Sequence, residues 1–188
     1  MTDLQVVYND LLAAFGPQGW WPLLECDGIN PTKTGSICGY HPGDYSYPKS
    51  DRQRFEICVG AILTQNTAWP NVEKALRNLD AAGALSATAL LRLSEADLKA
   101  AIRPAGYFNQ KAKKLRIFAE QYVSLSPRPT RSQLLAVWGI GPETADSILC
   151  YAFKQPVFVV DAYTRRICSR LGMHDENSAY DDVQAAFH

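Results

Sequence analysis

The sequence lacks several features that would assign it to a special class of protein. None of its 188 residues falls in an apolar run close to the ~20 residues that a membrane-spanning helix needs. The first ten residues, MTDLQVVYND, show no basic segment followed by an apolar one, so we expect no signal peptide. Its 19 basic and 19 acidic residues cancel, and the net charge does not by itself indicate a nucleic-acid-binding protein. We expect a cytoplasmic protein of one globular unit, or of two small lobes that share a core.

Cysteine is sparse and scattered. Five cysteines at irregular spacing make an odd number, which predicts reduced thiols rather than a disulfide framework. Cys26, Cys38 and His41 lie in one segment, but a structural zinc site needs four ligands and only one of these pairs is close in sequence. We therefore expect no metal site.

Most of the chain carries the 3.6-residue period of helices, which predicts an all-α fold. Two segments depart from it. Residues 24–53 are rich in Gly, Pro, Asp and Ser and are expected to form a long ordered loop, while residues 156–160, PVFVV, are expected to be extended. Helices are expected at 3–15, 54–65, 71–83, 94–102, 110–123, 129–139, 144–153 and 161–172.

The turn between two of these helices has the composition of an anion-binding site. Glycine at 139 and 141 permits positive φ and a close approach of the backbone to a ligand. The N–H groups that begin the next helix are unpaired and favour an anion, and Pro142 suits its first turn. The motif alone is equally compatible with a tight helix–helix turn that binds nothing.

Asp161 follows the apolar run 156–160 and begins a helical pattern. An Asp in such a place is usually an N-cap. The helix dipole and its free N–H groups stabilise an anion there, so capping is compatible with a functional carboxylate.

A Gly-hydrophobic-Gly turn between helices, followed twenty residues later by an Asp at a helix start, resembles the endonuclease III superfamily of DNA glycosylases. ILTQNTAW (62–69), RPAGYFNQKAKKL (103–115) and VVDAYTRR (159–166) resemble further segments of that family, so that the similarity covers residues 54–172. The resemblance implies a two-lobed helical fold. One barrel-like lobe would comprise residues 54–155, with the helix-hairpin-helix at about 129–153. A second lobe would comprise 1–53 and 156–188, without the family's last helices.

Glu143 stands two residues after the second glycine of the turn, where lyases of the family carry the lysine that forms a Schiff base. A carboxylate cannot form an imine, so the resemblance implies a glycosylase without lyase activity. Trp20-Trp21-Pro22 and Trp69 further resemble the small bacterial 3-methyladenine DNA glycosylases of this superfamily.

That branch implies hydrolysis of the N-glycosidic bond of alkylated purines in double-stranded DNA, with Asp161 as the catalytic carboxylate. A cationic base is attracted to tryptophan faces and to negative charge, which implies a base pocket of Trp21, Trp69 and Glu143. Core packing is the alternative for each tryptophan, and a simple first-turn carboxylate is the alternative for Glu143.

The resemblance also implies contacts with DNA. Two residues would enter the vacated base stack, three would bind a phosphate through backbone amides, and three basic residues would contact other phosphates. A solvated helix face is the alternative for the basic residues. The candidates for the vacated base stack are Gln65 and Tyr107. The candidates for the amide-bound phosphate are Gly139, Ile140 and Gly141, and the basic candidates are Lys111, Lys113 and Arg165.

Many members of the superfamily hold an iron–sulfur cluster on four closely spaced cysteines. The scattered cysteines of this chain form no such group, so we expect no iron–sulfur cluster and no other cofactor. The implied protein is a monomer associated with the bacterial nucleoid, without a membrane partner. Two other functions stay open: a glycosylase for uracil, mismatched thymine or oxidised pyrimidine, and a non-catalytic helix-hairpin-helix module that binds DNA.

Overall fold

The computed structural model describes residues 4–32 and 36–187. Over these residues the chain is helical and contains no strand, which confirms the predicted all-α fold. The helices are α1 (Leu4–Phe15), α2 (Asp51–Leu63), α3 (Trp69–Ala81), α4 (Ala87–Arg92), α5 (Glu95–Ile102), α6 (Phe108–Tyr122), α7 (Arg131–Leu135), α8 (Pro142–Ser147), α9 (Ala162–Arg170) and α10 (Tyr180–Ala185). A 3₁₀ turn at Arg103–Ala105 follows α5, and a π-helical turn at Ile148–Ala152 extends α8.

Each of the eight predicted helices is present in the described residues, although the ends are shifted by a few positions. The sequence did not predict α4 or α10, because six residues are too few for a helical period to be recognised. Residues 156–160 form neither helix nor strand. The division into lobes at residues 54–155 stays a prediction.

Short polar side chains begin several of the helices. Ser50, Ser86 and Ser94 each accept a hydrogen bond from a backbone N–H three residues later, and Thr130 forms a complete capping box with Gln133. Each such cap satisfies an N–H group that the helix leaves free. The start predicted at Ser94 is therefore confirmed.

Helix α2 is the centre of the core. Its residues from Gln53 to Leu63 are all buried except Arg54, and α3, α6, α8 and the π-helical turn pack around it. By contrast, α1 buries none of its residues. No helix within residues 4–32 and 36–187 is long and apolar enough to cross a membrane.

The described part of segment 24–53 is ordered by backbone contacts. Tyr40 donates its N–H to the Gly28 carbonyl at 3.0 Å, and Leu23 donates to the Gly39 carbonyl at 2.8 Å. Glycine is required at position 28, because a Cβ atom there would lie 1.9 Å from the Tyr40 carbonyl oxygen. The segment therefore folds back on the residues just before it and carries them against α2 and α3.

Candidate functional site

A cleft of about 850 Å³ lies between helices α8 and α9 and the irregular chain that precedes α2. Its size suits a base or nucleoside. Trp21, Trp69, Glu143 and Asp161, four of the predicted site residues, all line it. We call the face formed by Glu143, Tyr151, Asp161 and Thr164 the helical side, and the face formed by Trp20, Trp21, Asn30 and Tyr40 the loop side.

Asp161 is the N-cap of α9, as predicted. Its Oδ1 atom accepts the Thr164 backbone N–H at 2.7 Å and the Thr164 hydroxyl at 2.8 Å. Its Oδ2 atom has no recorded donor among the described residues. Capping therefore fixes the carboxyl group through one oxygen and leaves the other for chemistry in the cleft.

Glu143 lies in the first turn of α8. Desolvation and then the negative charge of Asp161 raise its pKa, while Arg165 opposes the shift. The two carboxyl groups therefore interact across the helical side, and together they make it attractive to a cation.

The neighbouring tryptophans at positions 20 and 21 have different environments. Trp21 is 4% exposed, and its ring centroid lies 5.3 Å from that of Trp69 and 5.5 Å from that of Tyr151. Trp20 is 37% exposed and lies 5.1 Å from Trp69. Trp21 is thus largely a core residue that borders the cleft, whereas Trp20 presents the more accessible indole. The sequence resemblance points to Trp21 as a wall of the pocket and not to Trp20, although both are in the same motif.

Segment 24–53 supplies Asn30 and Tyr40, the rest of the loop side, whereas the sequence indicates only that this segment could alter the mouth of the pocket. The His41 side chain lies between two carbonyl oxygens, with Nε2 2.9 Å from that of Trp21 and Nδ1 3.0 Å from that of Asp44. The backbone N–H of His41 also donates to the Gly19 carbonyl at 3.3 Å. The long loop therefore holds the residues around Trp20 from both ends.

In the hairpin between α7 and α8, Gly139 has the positive φ that the sequence suggests, at +85°, whereas Gly141 is extended, with φ at −97°. The Ile140 N–H donates to the Val137 carbonyl at 3.1 Å, and its side chain is buried. Ile140 therefore anchors the hairpin, and the prediction that its amide binds phosphate is corrected. The Gly139 and Gly141 amides have no such recorded bond among the described residues.

Gln65 is also engaged within the protein. Its amide nitrogen donates to the Gly139 carbonyl at 3.1 Å and to the Thr144 hydroxyl at 3.0 Å, and its oxygen accepts from Lys114 at 2.5 Å. The next residue, Asn66, is exposed with φ at +54° and forms the tip of this loop. Insertion of Gln65 into DNA stays a prediction, and Asn66 is a further candidate that the sequence pattern does not indicate.

The other predicted DNA contacts differ in exposure. Tyr107 is 71% exposed, and the Lys113 ammonium lies 4.5 Å from the ring centroid of the exposed Trp138, next to the hairpin. Arg165 donates to the Ser178 carbonyl at 2.5 Å and is half-buried. Lys111 is 2% exposed and its ammonium is bonded inside the protein, so its predicted phosphate contact is wrong.

The chain is similar to known proteins in sequence and in fold. The family model described as "HhH-GPD superfamily base excision DNA repair protein" matches residues 59–188. The "Putative DNA repair glycosylase MJ1434" of Methanocaldococcus jannaschii is 38% identical over 193 residues, which cover 96% of this chain and 75% of that protein. Endonuclease III of Thermotoga maritima is 30% identical over 132 residues, which cover 67% of this chain and 61% of that enzyme. The crystal structure of H. pylori 3-methyladenine DNA glycosylase (MagIII) bound to 1,N6-ethenoadenine aligns with a TM-score of 0.71 and 29% identity, over 98% of this chain and 77% of that one.

Proposed function

The chain belongs to the HhH-GPD superfamily of base excision DNA repair proteins and is a DNA glycosylase of that family, and we propose that it is a monofunctional enzyme for alkylated purines such as 3-methyladenine. One observation carries the proposal. The described lining of the cleft combines two carboxyl groups, Glu143 and Asp161, with an accessible indole at Trp20, and it contains no lysine. Such a site attracts a cation and offers no amine for a Schiff base.

The proposed reaction is hydrolysis of the N-glycosidic bond. The C1′–N bond breaks with its electron pair moving to the alkylated base, which neutralises the positive charge of that base. The Asp161 carboxylate stabilises the oxocarbenium ion that remains on the sugar. Water then adds to C1′ and transfers a proton to Asp161 or to solvent. An alkylated purine leaves readily, so the enzyme needs no strong general acid.

Recognition would combine stacking and charge. The purine would stack on the accessible face of Trp20 next to Trp69, with Glu143 at the helical side of the cleft. A positive base gains from both contacts, whereas a neutral pyrimidine gains little from the carboxylate. The damaged nucleotide would reach the cleft by leaving the duplex, at a penalty of a few kcal/mol that is smallest for damaged bases.

DNA would be held at the same edge of the molecule. The Gly139 and Gly141 amides would bind a phosphate at the start of α8, and Lys113 and Arg165 would contact others. Tyr107 would enter the vacated stack together with the loop that carries Gln65. The protein would make these contacts with DNA as a monomer.

Release of bases from methylated DNA, resolved by chromatography, tests the proposal. We expect free 3-methyladenine from the wild-type protein and a rate lower by about a hundredfold or more for Asp161→Asn, with binding to DNA retained. Release of bases only from duplexes that contain uracil or a T:G mismatch would contradict the proposal that alkylated purines are the substrate. Borohydride trapping of a protein–DNA adduct would contradict the monofunctional mechanism. Base release that is equally fast in Asp161→Asn would remove Asp161 from the chemistry.

A second candidate is an endonuclease III-like glycosylase for damaged or mismatched pyrimidines. It is favoured by the 30% identity with endonuclease III of Thermotoga maritima. Duplexes that contain uracil, thymine glycol or a T:G mismatch distinguish this candidate in the same assay. The glutamate at position 143 is the feature that argues against it.

A further inference from the structure

Lys111 is a buried lysine in a helix whose neighbouring lysines are at the surface. Its side chain is 2% exposed, whereas Lys113 is exposed and Lys114 is half-buried. The Lys111 ammonium donates to the Leu63 carbonyl at 2.8 Å, the Thr67 hydroxyl at 2.6 Å and the Ala105 carbonyl at 2.8 Å. A buried ammonium is expensive unless its donors are satisfied, and here three donors meet three oxygens.

These oxygens belong to two separate loops. Leu63 ends α2 and Thr67 lies in the loop 64–68, whereas Ala105 precedes the turn at 106–107 that begins α6. The Thr67 hydroxyl also donates to the Ala105 carbonyl at 2.5 Å, so the two loops are joined directly as well as through the ammonium. No element of regular structure connects them at this point.

Both loops have an exposed tip in an unusual backbone conformation. Asn66 has φ at +54° and Tyr107 has φ at +44°, a region that residues other than glycine seldom occupy. Such conformations persist where the surrounding structure enforces them. The loop 64–68 also leads directly into Trp69, a ring that borders the cleft.

We propose that Lys111 is a positioning residue that holds the loop 64–68 and the turn 106–107 at a fixed separation, so that both tips enter damaged DNA together. The inference rests on the proposed glycosylase function, because that function gives the two tips their DNA. It assigns to Lys111 the alignment of the two tips and the placement of Trp69, without contact to phosphate. A neutral side chain of the same length would fill the space and remove the ammonium donor from the three oxygens, so that only the Thr67–Ala105 hydrogen bond would still join the two loops.

The test compares Lys111→Met with the wild-type protein on two duplexes, one undamaged and one with a tetrahydrofuran abasic-site analogue. Binding of undamaged DNA relies on surface contacts and is expected within about twofold of wild type. Affinity for the abasic duplex is expected to fall about tenfold or more, the equivalent of one hydrogen bond to a charged group. Single-turnover release of 3-methyladenine is expected to fall in parallel. Lys74→Met, an exposed lysine on α3, is the matched control for loss of one charge and is expected to match wild type on both duplexes.

Two outcomes with a folded variant would overturn the inference. Wild-type behaviour on both duplexes would show that the ammonium does not matter, and an equal loss on both would show a general role in DNA binding. If wild type itself binds both duplexes equally and releases no base, the proposed function fails first and the inference fails with it. A wild type that is selective and active beside an unaltered Lys111→Met contradicts the inference alone.

Thr67 supplies an independent variant in case Lys111→Met does not fold. Thr67→Val removes the hydroxyl that joins Lys111 to the Ala105 carbonyl, while Thr67→Ser keeps it. We expect Thr67→Val to lose selectivity for the abasic duplex and Thr67→Ser to retain it. Loss in both variants, or in neither, would contradict the proposed bridge.

A pH series gives a readout that a purely structural lysine would not give. Burial lowers the pKa of Lys111 to about 8, and the charge of Lys114 adds to the effect. Above that pH the neutral amine has two N–H donors for three oxygens. Selectivity of the wild type for the abasic duplex should therefore fall as the pH rises from about 7 to about 9. Lys111→Met should lack this dependence, and a fall of the same size in that variant would contradict the inference.

Discussion

The two sides of the cleft are built in different ways. On the helical side, Glu143 lies in the first turn of α8 and Asp161 is the N-cap of α9, so helix geometry places both carboxyl groups. On the loop side, Trp20 and Trp21 lie in irregular chain, and their position depends on bonds from His41, which is twenty residues away from Trp21. The helical side supplies negative charge and the loop side supplies most of the aromatic surface.

The two sides therefore differ in what holds them in position: contacts between neighbouring residues on the helical side, and contacts between distant segments on the loop side. A helix start is set by a few neighbouring residues, so the carboxyl groups of the helical side can survive many changes elsewhere. The loop side is held by hydrogen bonds and ring contacts between remote segments, and removal of any of these should lower the stability of the protein. Perturbations of the loop side should therefore change stability, whereas those of the helical side should change chemistry or selectivity.

The largest expected effect on the loop side comes from Trp21→Ala. Because Trp21 is 4% exposed, its truncation leaves a cavity and should lower the free energy of unfolding by about 3–5 kcal/mol. Trp20→Ala, at 37% exposure, should lower it by about 1 kcal/mol or less and mainly weaken binding of the base. Urea unfolding of both variants measures the contrast. Equal losses of stability in the two variants would contradict the assignment of Trp21 to the core and of Trp20 to the cleft.

The next effect concerns Glu56, which joins the loop side to α2. Its Oε1 atom accepts the Leu24 N–H at 2.7 Å, and Arg52 lies 3.4 Å from Oε2. Burial raises the pKa of Glu56 to about 7 from 4.5, although the Leu24 N–H and Arg52 act in the opposite direction. The folded protein thus retains this proton better than the unfolded chain. The stability contributed by the group is full below about pH 4.5 and is lost as the pH rises through about 7.

Glu56→Gln removes this titration while an amide oxygen can still accept the Leu24 N–H. Above about pH 7 the variant should be more stable than wild type by at most about 3 kcal/mol, and near pH 4 the two should have similar stability. Unfolding in denaturant at both pH values provides the measurement. A variant that is less stable than wild type at pH 8 would show that the bond with Arg52 outweighs the burial of the charge.

How far the sequence predicts this site follows the same division. The helices and the placement of Glu143 and Asp161 at helix starts are predictable because glycine turns, caps and the 3.6-residue period are local signals, whereas the site roles of the two residues follow only from the family resemblance. The loop side is not predictable, because segment 24–53 has no period and its contacts are distant in sequence. For the same reason the sequence does not distinguish Lys111 from the surface lysines beside it. Its burial depends on the Leu63 carbonyl, which is 48 residues away in the chain.

A smaller loss of stability is expected from His41→Phe. The variant keeps a ring against Tyr47, whose centroid lies 4.6 Å from that of His41, but leaves the Trp21 and Asp44 carbonyls without the side-chain donor. We expect a loss of about 1–2 kcal/mol and a red shift of tryptophan emission as Trp20 becomes more exposed. His174→Phe is a suitable control, since His174 has no recorded hydrogen bond among the described residues. An unchanged emission spectrum would mean that the loop side does not depend on His41.

Glu143→Gln should give the smallest effect and tests the helical side. The change keeps the shape of the side chain and removes its charge, so stability should hardly change. Affinity for a duplex with a cationic purine analogue should fall about fivefold, and affinity for its neutral isostere less than twofold, because a partly exposed charge contributes about 1 kcal/mol. Since desolvation and Asp161 raise the pKa of Glu143, wild-type preference for the cation should weaken on acidification at a higher pH than an ordinary glutamate would give. That dependence should be absent in Glu143→Gln, and equal losses for the two analogues would contradict a role for charge in selecting the base.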